Sequence, residues 1–313
     1  MSINIVSIIL AIQGAISQGL IWGVMALGVY ITFKILNYAD MTCDGSFAFG
    51  GAVSATLTVV FGWNPFLSLI IATLSGMAAG AVTGLLHTKC KIPAILSGIL
   101  TMISLFSINL RVMGKANTPL LGVDTIITKI INILPESITS IYNINAWVTM
   151  FVGIVFTIAT IGILYWFFGT EIGSTIRATG NNEDMVRALG GNTDVMKILG
   201  LVIGNGLVGL SGGLVAQTQG YADVGMGTGT IVIGLASIVI GEALFGRRFS
   251  FAYKLMSVVI GSVLYRIIIA VVLQLGLKTD DMKLLTGVLV TVALSVPEFN
   301  RQRAMKKKMR SYN

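Results

Sequence analysis

The chain has 313 residues, of which 55% are hydrophobic and only 11% charged, with a mean hydropathy of +0.88. Soluble domains carry about 25% charged residues, so this composition excludes an ordinary water-soluble fold. The formal charge of +8 sits in short connections and in the tail RQRAMKKKMR at 301–310; membrane topology and attraction to anionic lipid headgroups account for it, and nucleic acid is not an expected partner.

Residues 2–33 contain no charged side chain. They lack the basic n-region and small-residue cleavage site of a secretory signal, so they are expected to belong to the mature chain. Residues 45–86 are likewise free of Asp, Glu, Lys, Arg and His. A hydrocarbon core of roughly 30 Å takes about 20 apolar helical residues, so this stretch predicts two crossings turned at Gly62, Trp63, Asn64 and Pro65. Further uncharged runs lie at 145–170, 198–222, 224–241 and 284–297.

Together these predict an all-α polytopic membrane protein, a single transmembrane domain over 1–313. About nine crossings, within a range of 8–10, are expected near 10–34, 45–61, 65–86, 93–112, 145–168, 196–218, 229–246, 250–275 and 283–299. Keeping the basic connections inside puts the N-terminus outside and the C-terminus, with its tail 300–313, in the cytoplasm. The segments 45–61 and 229–246 are short and Gly-rich, which predicts re-entrant or broken helices. Gly76, Gly80, Gly84, Gly209 and Gly213 are spaced for close helix packing.

The chain also echoes itself. Tyr38-Ala39-Asp40 ends the first apolar run and Tyr221-Ala222-Asp223 the sixth, each followed by a Gly-rich helix. The halves 10–112 and 196–299 then read as inverted repeats about 145–168, a common build for transporters.

The polar connection 171–197 predicts a short cytoplasmic helix near 181–190. Asn181 or Asn182 caps it, Glu183 and Asp184 occupy its positive end, Met185, Ala188 and Leu189 form an apolar strip, and Gly190-Gly191 stop it. Small apolar groups mixed with both charge signs suit a protein partner better than lipid.

Ionisable and polar groups within spans are candidate functional residues. Asn37, Asp40 and Asp44-Gly45 mark the first helix break, where they line a gate or cap the next helix. Asp223 holds the corresponding outer position. Glu242, near Lys254, reads as a structural ion pair or a gate. Arg266 lies deep in its segment and needs an acidic partner or a substrate carboxylate. Asn205, Gln217 and Gln219 serve either a pathway or helix–helix hydrogen bonding. Cys43, Cys90 and His87 show no metal-ligand spacing and read as small buried thiols and a loop histidine. No Gly-x-x-x-x-Gly-Lys-(Ser/Thr) phosphate loop is present.

Residues 19–55 resemble the opening of permease subunits of ABC importers of the branched-chain amino-acid and ribose type. The run Asp40-Met41-Thr42-Cys43-Asp44-Gly45-Ser46-Phe47 is similar to the branch associated with tryptophan and tyrosine uptake. RATGNNEDMVRALGGN at 177–192 resembles that family's cytoplasmic coupling loop, here spanning 171–195, and the pair Gly241-Glu242 resembles its later Gly-rich segment. The resemblance implies coupling to an ATPase through Gly180, Asn181, Asn182, Glu183, Asp184, Arg187, Ala188 and Gly190. It implies a bacterial plasma-membrane subunit that pairs with a second copy and is no enzyme itself. Two cytoplasmic ATP-binding subunits would carry ATP and Mg, so no cofactor is expected on this chain, and an external solute-binding protein would deliver the solute. The expected cargo is an amino acid, aromatic in that branch. The alternatives are a sugar or nucleoside permease of the same build, an ion-coupled carrier, or an intramembrane enzyme.

Overall fold

The computed structural model describes residues 5–135, 143–245 and 250–276, with isolated positions 281, 284–288, 290, 291 and 295 beyond them. Helix α1 (Ile5–Tyr30) runs into a π turn over Ile31–Ile35. Helices α2 (Thr42–Val59), α3 (Pro65–Thr88) and α4 (Ala94–Met113) follow. Strand β1 (Asn117–Pro119) and helix α5 (Ile126–Ile133) occupy the next connection, before α6 (Ile144–Phe168). Then come α7 (Glu171–Asn181), α8 (Glu183–Ala188) and α9 (Thr193–Gln219). Strand β2 (Tyr221–Asp223), α10 (Thr230–Phe245) and α11 (Phe251–Gln274) complete the set.

Eight expected crossings coincide with helices among the described residues; the ninth, 283–299, lies largely outside them. Among the described residues six helices are long and apolar enough to cross a membrane. The two that are not, α2 and α10, are the segments expected to be re-entrant or broken; each is instead one continuous helix, of 18 and 16 residues. Backbone polar groups have no water partner in hydrocarbon, so helices that end inside it persist only when buried in protein. Both are: Phe47, Ala52 and Ala55 of α2 and Ala236 and Ile238 of α10 are in the core.

Helix α9 is the central post. It packs on α1, α2 and α3, while α11 packs on α1 and α10. The apolar stretches of α1 and α9 are 78% and 67% buried, against 28% in α4 and 33% in α6, which places the latter two at the periphery. Lipid tails are as apolar as leucine, so helix contact relies on close backbone approach rather than on hydrophobic drive. The glycine stripes supply it. Gly76, Gly80 and Gly84 of α3 lie against the Asn205 carbonyl, the Leu201 carbonyl and Ile198 of α9, and Gly209 and Gly213 face back onto Ala72, Gly76 and Leu69.

Two features depart from expectation. The connection 171–197 holds two helices where one was expected, because Thr170 caps a separate first helix by accepting from the Gly173 N–H at 3.3 Å. The long connection after α4 carries a strand, pairing antiparallel with β2 in the register Asn117↔Asp223, Thr118↔Ala222, Pro119↔Tyr221. Three-residue strands leave no periodic signal in a sequence. The faces carrying α8 and the β1–β2 pair stand at opposite ends of α9, about 40 Å apart at 1.5 Å per residue.

Cys43 is buried as expected, but Cys90 is exposed in the α3–α4 turn. His87 lies in the last turn of α3 rather than in a loop, and its Nδ1 contacts the Ile92 carbonyl at 2.8 Å, closing that turn.

Candidate functional site

The first helix break is built around Asp40. The π turn and the left-handed Asn37 (φ +53°) release the chain from α1. The buried Asp40 carboxylate then accepts from the Thr42 N–H, the first of α2, at 2.9 Å. Its other oxygen accepts from Asn205 Nδ2 of α9 at 2.6 Å and from the Cys43 thiol at 3.6 Å. The Asn205 carboxamide oxygen accepts from Ser46 Oγ at 2.7 Å. Asp40 thus holds the first N–H of α2 and ties that helix to the central post. Ser46 belongs to this cluster and was not singled out in the sequence, since a small hydroxyl in a Gly-rich helix gives no sign of its partner.

Asp44, one turn on, caps a helix far away in sequence. Its carboxylate accepts from Gly229 N–H at 2.9 Å, Thr230 Oγ1 at 2.7 Å and Ile231 N–H at 3.0 Å, all at the start of α10. The positive ends of the two short helices α2 and α10 therefore adjoin, and each is met by an aspartate. Negative charge is stabilising at that end of the helix dipole, and no other donor or acceptor is freely available in a membrane interior. Gly45 packs on Met102 and Leu105 of α4. The echoed Asp223 makes the same local turn as Asp40: it accepts from the N–H two residues on, Gly225, at 2.7 Å.

The remaining candidates are dispersed. Gln217 donates to Ser54 and Thr58 of α2 at 3.1 and 2.9 Å, a helix–helix contact. Gln219 is exposed at the end of α9, and Asn37 is exposed at the first break. Glu242 pairs with Lys34 at 3.1 Å, not with Lys254. Arg266 meets no acidic side chain among the described residues. Its guanidinium stands 3.9 Å above the Trp22 ring and donates to Gln18 Oε1 at 3.4 Å, so an aromatic face takes the place of the expected carboxylate. Among the described residues no group of three His, Cys, Asp or Glu could hold a metal ion.

Helix α8 forms the second element of the site. Asn182 Oδ1 accepts from the Met185 N–H at 3.0 Å and Gly190, at φ +83°, ends the segment. Glu183 binds Lys197 of α9 at 2.7 Å and Arg187 on its own helix, and accepts from Thr193 Oγ1 at 3.1 Å. Arg187 Nε also donates to Thr193 at 2.9 Å. Asp194 links this group to Lys91 of the α3–α4 turn at 3.8 Å. Val186 is buried beneath, whereas Met185 and Leu189 are 45% and 80% exposed, with Asp184, Ala188 and Asn181 exposed beside them. The expected unit therefore divides into an anchor (Glu183, Val186, Arg187) and an outward face (Asp184, Met185, Ala188, Leu189). Gly180 belongs to neither: it packs against the Ile35 carbonyl, where any side chain would collide with the end of α1.

Desolvation pushes the Glu183 carboxyl up, but Lys197, Thr193 and Arg187 together outweigh it and hold it below its ordinary 4.5. A depressed carboxylate contributes stability that is full above the unfolded value and is lost as pH falls through the folded one. The advantage in thermal stability of the parent chain over Glu183→Gln is accordingly expected to be constant from pH 7 to 5 and to shrink below about 4.3. Thermal melts of both chains across that range measure it; an advantage unchanged at pH 3 would show that the ion pairs do not anchor α8.

Two short helices capped across the core, with a short anchored helix at one face, fit a multi-pass membrane protein of the solute-permease type. The chain belongs to the family described as "Branched-chain amino acid transport system / permease component", whose model matches residues 11–294. It is 39% identical over 289 residues to a tyrosine transport system permease protein of Clostridioides difficile, covering 92% of each chain. It is 31% identical over 285 residues to an uncharacterized protein of Rickettsia prowazekii, RP368, covering 90% of this chain and 95% of that one. A "Probable branched-chain amino acid transport permease protein LivH" of Methanocaldococcus jannaschii is 26% identical over 218 residues, 66% of each chain. The chain is thus a permease of an ABC importer for amino acids.

Proposed function

We propose that this chain carries an aromatic amino acid, the class to which the cargo named for the C. difficile relative belongs, and that α8 receives the driving motion. The observation that carries this reading is an apolar outward face on a helix whose opposite side is ion-paired to the central post. Cytoplasmic ATP-binding subunits dock on Met185 and Leu189; ATP and Mg stay on those subunits, and this chain catalyses nothing. Their closure moves α8, the Glu183–Lys197 pair passes the displacement to α9, and the Asp40–Asn205 bond carries it into α2. The paired helices α2 and α10 then open to one side at a time.

Topology follows from charge. Lys34, Lys91, Arg177, Arg187, Lys197 and Lys254 gather at the α8 face, which under the positive-inside tendency is cytoplasmic. The β1–β2 face is then external, where a solute-binding protein releases its cargo. The N-terminus is outside, the basic tail is inside, and two copies enclose the pathway. The shared Asx turns of Asp40 and Asp223 support the halves as inverted repeats. Proteoliposomes holding this chain, its ATP-binding subunit and its binding protein are expected to accumulate radiolabelled L-tyrosine only with enclosed ATP. Accumulation by the chain alone would refute the reading.

A further inference from the structure

One cleft, of about 350 Å³, lies between α2, α4 and the segment leading into α10. Ligand pockets range over about 300–1,000 Å³ and combine an apolar lining with a few convergent polar groups. The lining here has that form. Met102, Ile103 and Phe106 of α4 make one wall, and Asp44, Asn109 and Thr228 supply the polar groups. Phe106 is 53% exposed along the mouth.

Asn109 sets this cleft apart. Its side chain is fully buried in the wall, yet neither its carboxamide nitrogen nor its oxygen has a hydrogen-bond partner among the described residues. A buried amide left unpaired costs about 1–3 kcal/mol, and packing alone would be served better by leucine. Asp44 is also incompletely used. A carboxylate offers about four acceptor sites, and the start of α10 takes three of them.

We propose that the cleft is a permease subsite for a zwitterionic amino acid with an apolar or aromatic side chain. The solute ammonium takes the remaining acceptor site of Asp44. The solute carboxylate accepts from the Asn109 carboxamide N–H and the Thr228 hydroxyl, and its side chain lies along Phe106 and Met102. Because Asp44 also caps α10, filling the subsite acts on the junction of α2 and α10, which gives the solute a direct hold on the moving parts. This inference rests on the importer reading and adds to it a place where the permease itself contacts its cargo.

The test uses the whole transporter, with its ATP-binding subunit and binding protein, in proteoliposomes. Asn109→Leu and Phe106→Ala are each expected to lower the maximal rate of L-tyrosine uptake about tenfold, the equivalent of one charge-assisted hydrogen bond. ATP hydrolysis stimulated by the loaded binding protein should persist, so more ATP is spent per tyrosine moved. Phe106 is exposed, so its replacement leaves folding intact. In parallel, Phe106→Cys in a Cys90→Ser background is expected to react with a maleimide more slowly when L-tyrosine is present. Uptake at the parent rate in both variants, or labelling that L-tyrosine does not slow and added lipid does, would overturn the subsite while leaving the importer intact. Uptake and ATP hydrolysis falling together would also overturn it, since that is the signature of lost coupling. No ATP-driven uptake by the parent complex would remove the importer reading, and the subsite with it.

Discussion

Asp40→Asn and Asn205→Asp are each expected to destabilise the protein by about 2–3 kcal/mol, and the double exchange to recover most of that loss. In the parent chain one Asp40 oxygen accepts from the Thr42 N–H and the other from Asn205 Nδ2. Asparagine at 40 can satisfy only one of these donors. Turned one way its amide faces Asn205 Nδ2; turned the other way it faces the Thr42 N–H. Aspartate at 205 instead sets two carboxylates against each other in a buried site, where like charges cannot both persist. The swapped pair restores one donor to one acceptor, and Ser46 still finds an oxygen at position 205. The bond from Asn205 Nδ2 to the Leu201 carbonyl and that from the Cys43 thiol to Asp40 are given up, so recovery stops short of complete. Thermal unfolding of the four chains in detergent measures the coupling. Additive losses would show that the pair does not tie α2 to the central post.

The second large effect is expected at the outward face of α8. Met185→Glu with Leu189→Glu should abolish co-purification of the ATP-binding subunit and all ATP-driven uptake, with thermal stability of the permease unchanged. Leu189 is 80% and Met185 45% exposed, so little is lost within the chain when they change. Central interface residues typically contribute about 2 kcal/mol each, roughly 30-fold in affinity, and charging two of them leaves buried carboxylates without partners. Glu183→Ala provides the contrast. Removing it frees Lys197 and Arg187, so stability falls along with coupling. An unchanged complex in the Met185/Leu189 variant would move the docking face elsewhere. Gly180→Pro cannot make this distinction, because Gly180 packs on the Ile35 carbonyl and its replacement disturbs α1 first.

Much of the molecule was legible in its residues. Long uncharged runs mark helices because a helix satisfies its backbone groups within one segment in hydrocarbon. The Gly-rich segments 45–61 and 229–246 marked the two helices that are too short or too polar to count as spans, though neither is broken. Asn182, Glu183 and Gly190 announced α8 through local capping rules that act within one turn. The partners were not legible. Glu242 was set beside Lys254 because both lie near one end of adjacent helices, but the rotation of α10 against α1 brings Lys34 to it. Arg266 was expected to need an acid, and Trp22 supplies an aromatic face from another helix. Asn109 drew no notice, since an asparagine amid apolar residues does not disclose whether its amide is paired.

From composition and periodicity alone, the chain's solvent, its helical content and its capping signals were determined, because each depends on a residue and its near neighbours. Tertiary structure decided which helix stands at the centre, that Asp40 and Asp44 serve two different helix ends, and that one side of α8 is anchored while the other is free. Those outcomes depend on how helices rotate against one another at glycine contacts. A rotation of one residue, about 100° in an α-helix of 3.6 residues per turn, exchanges every partner without altering any local preference.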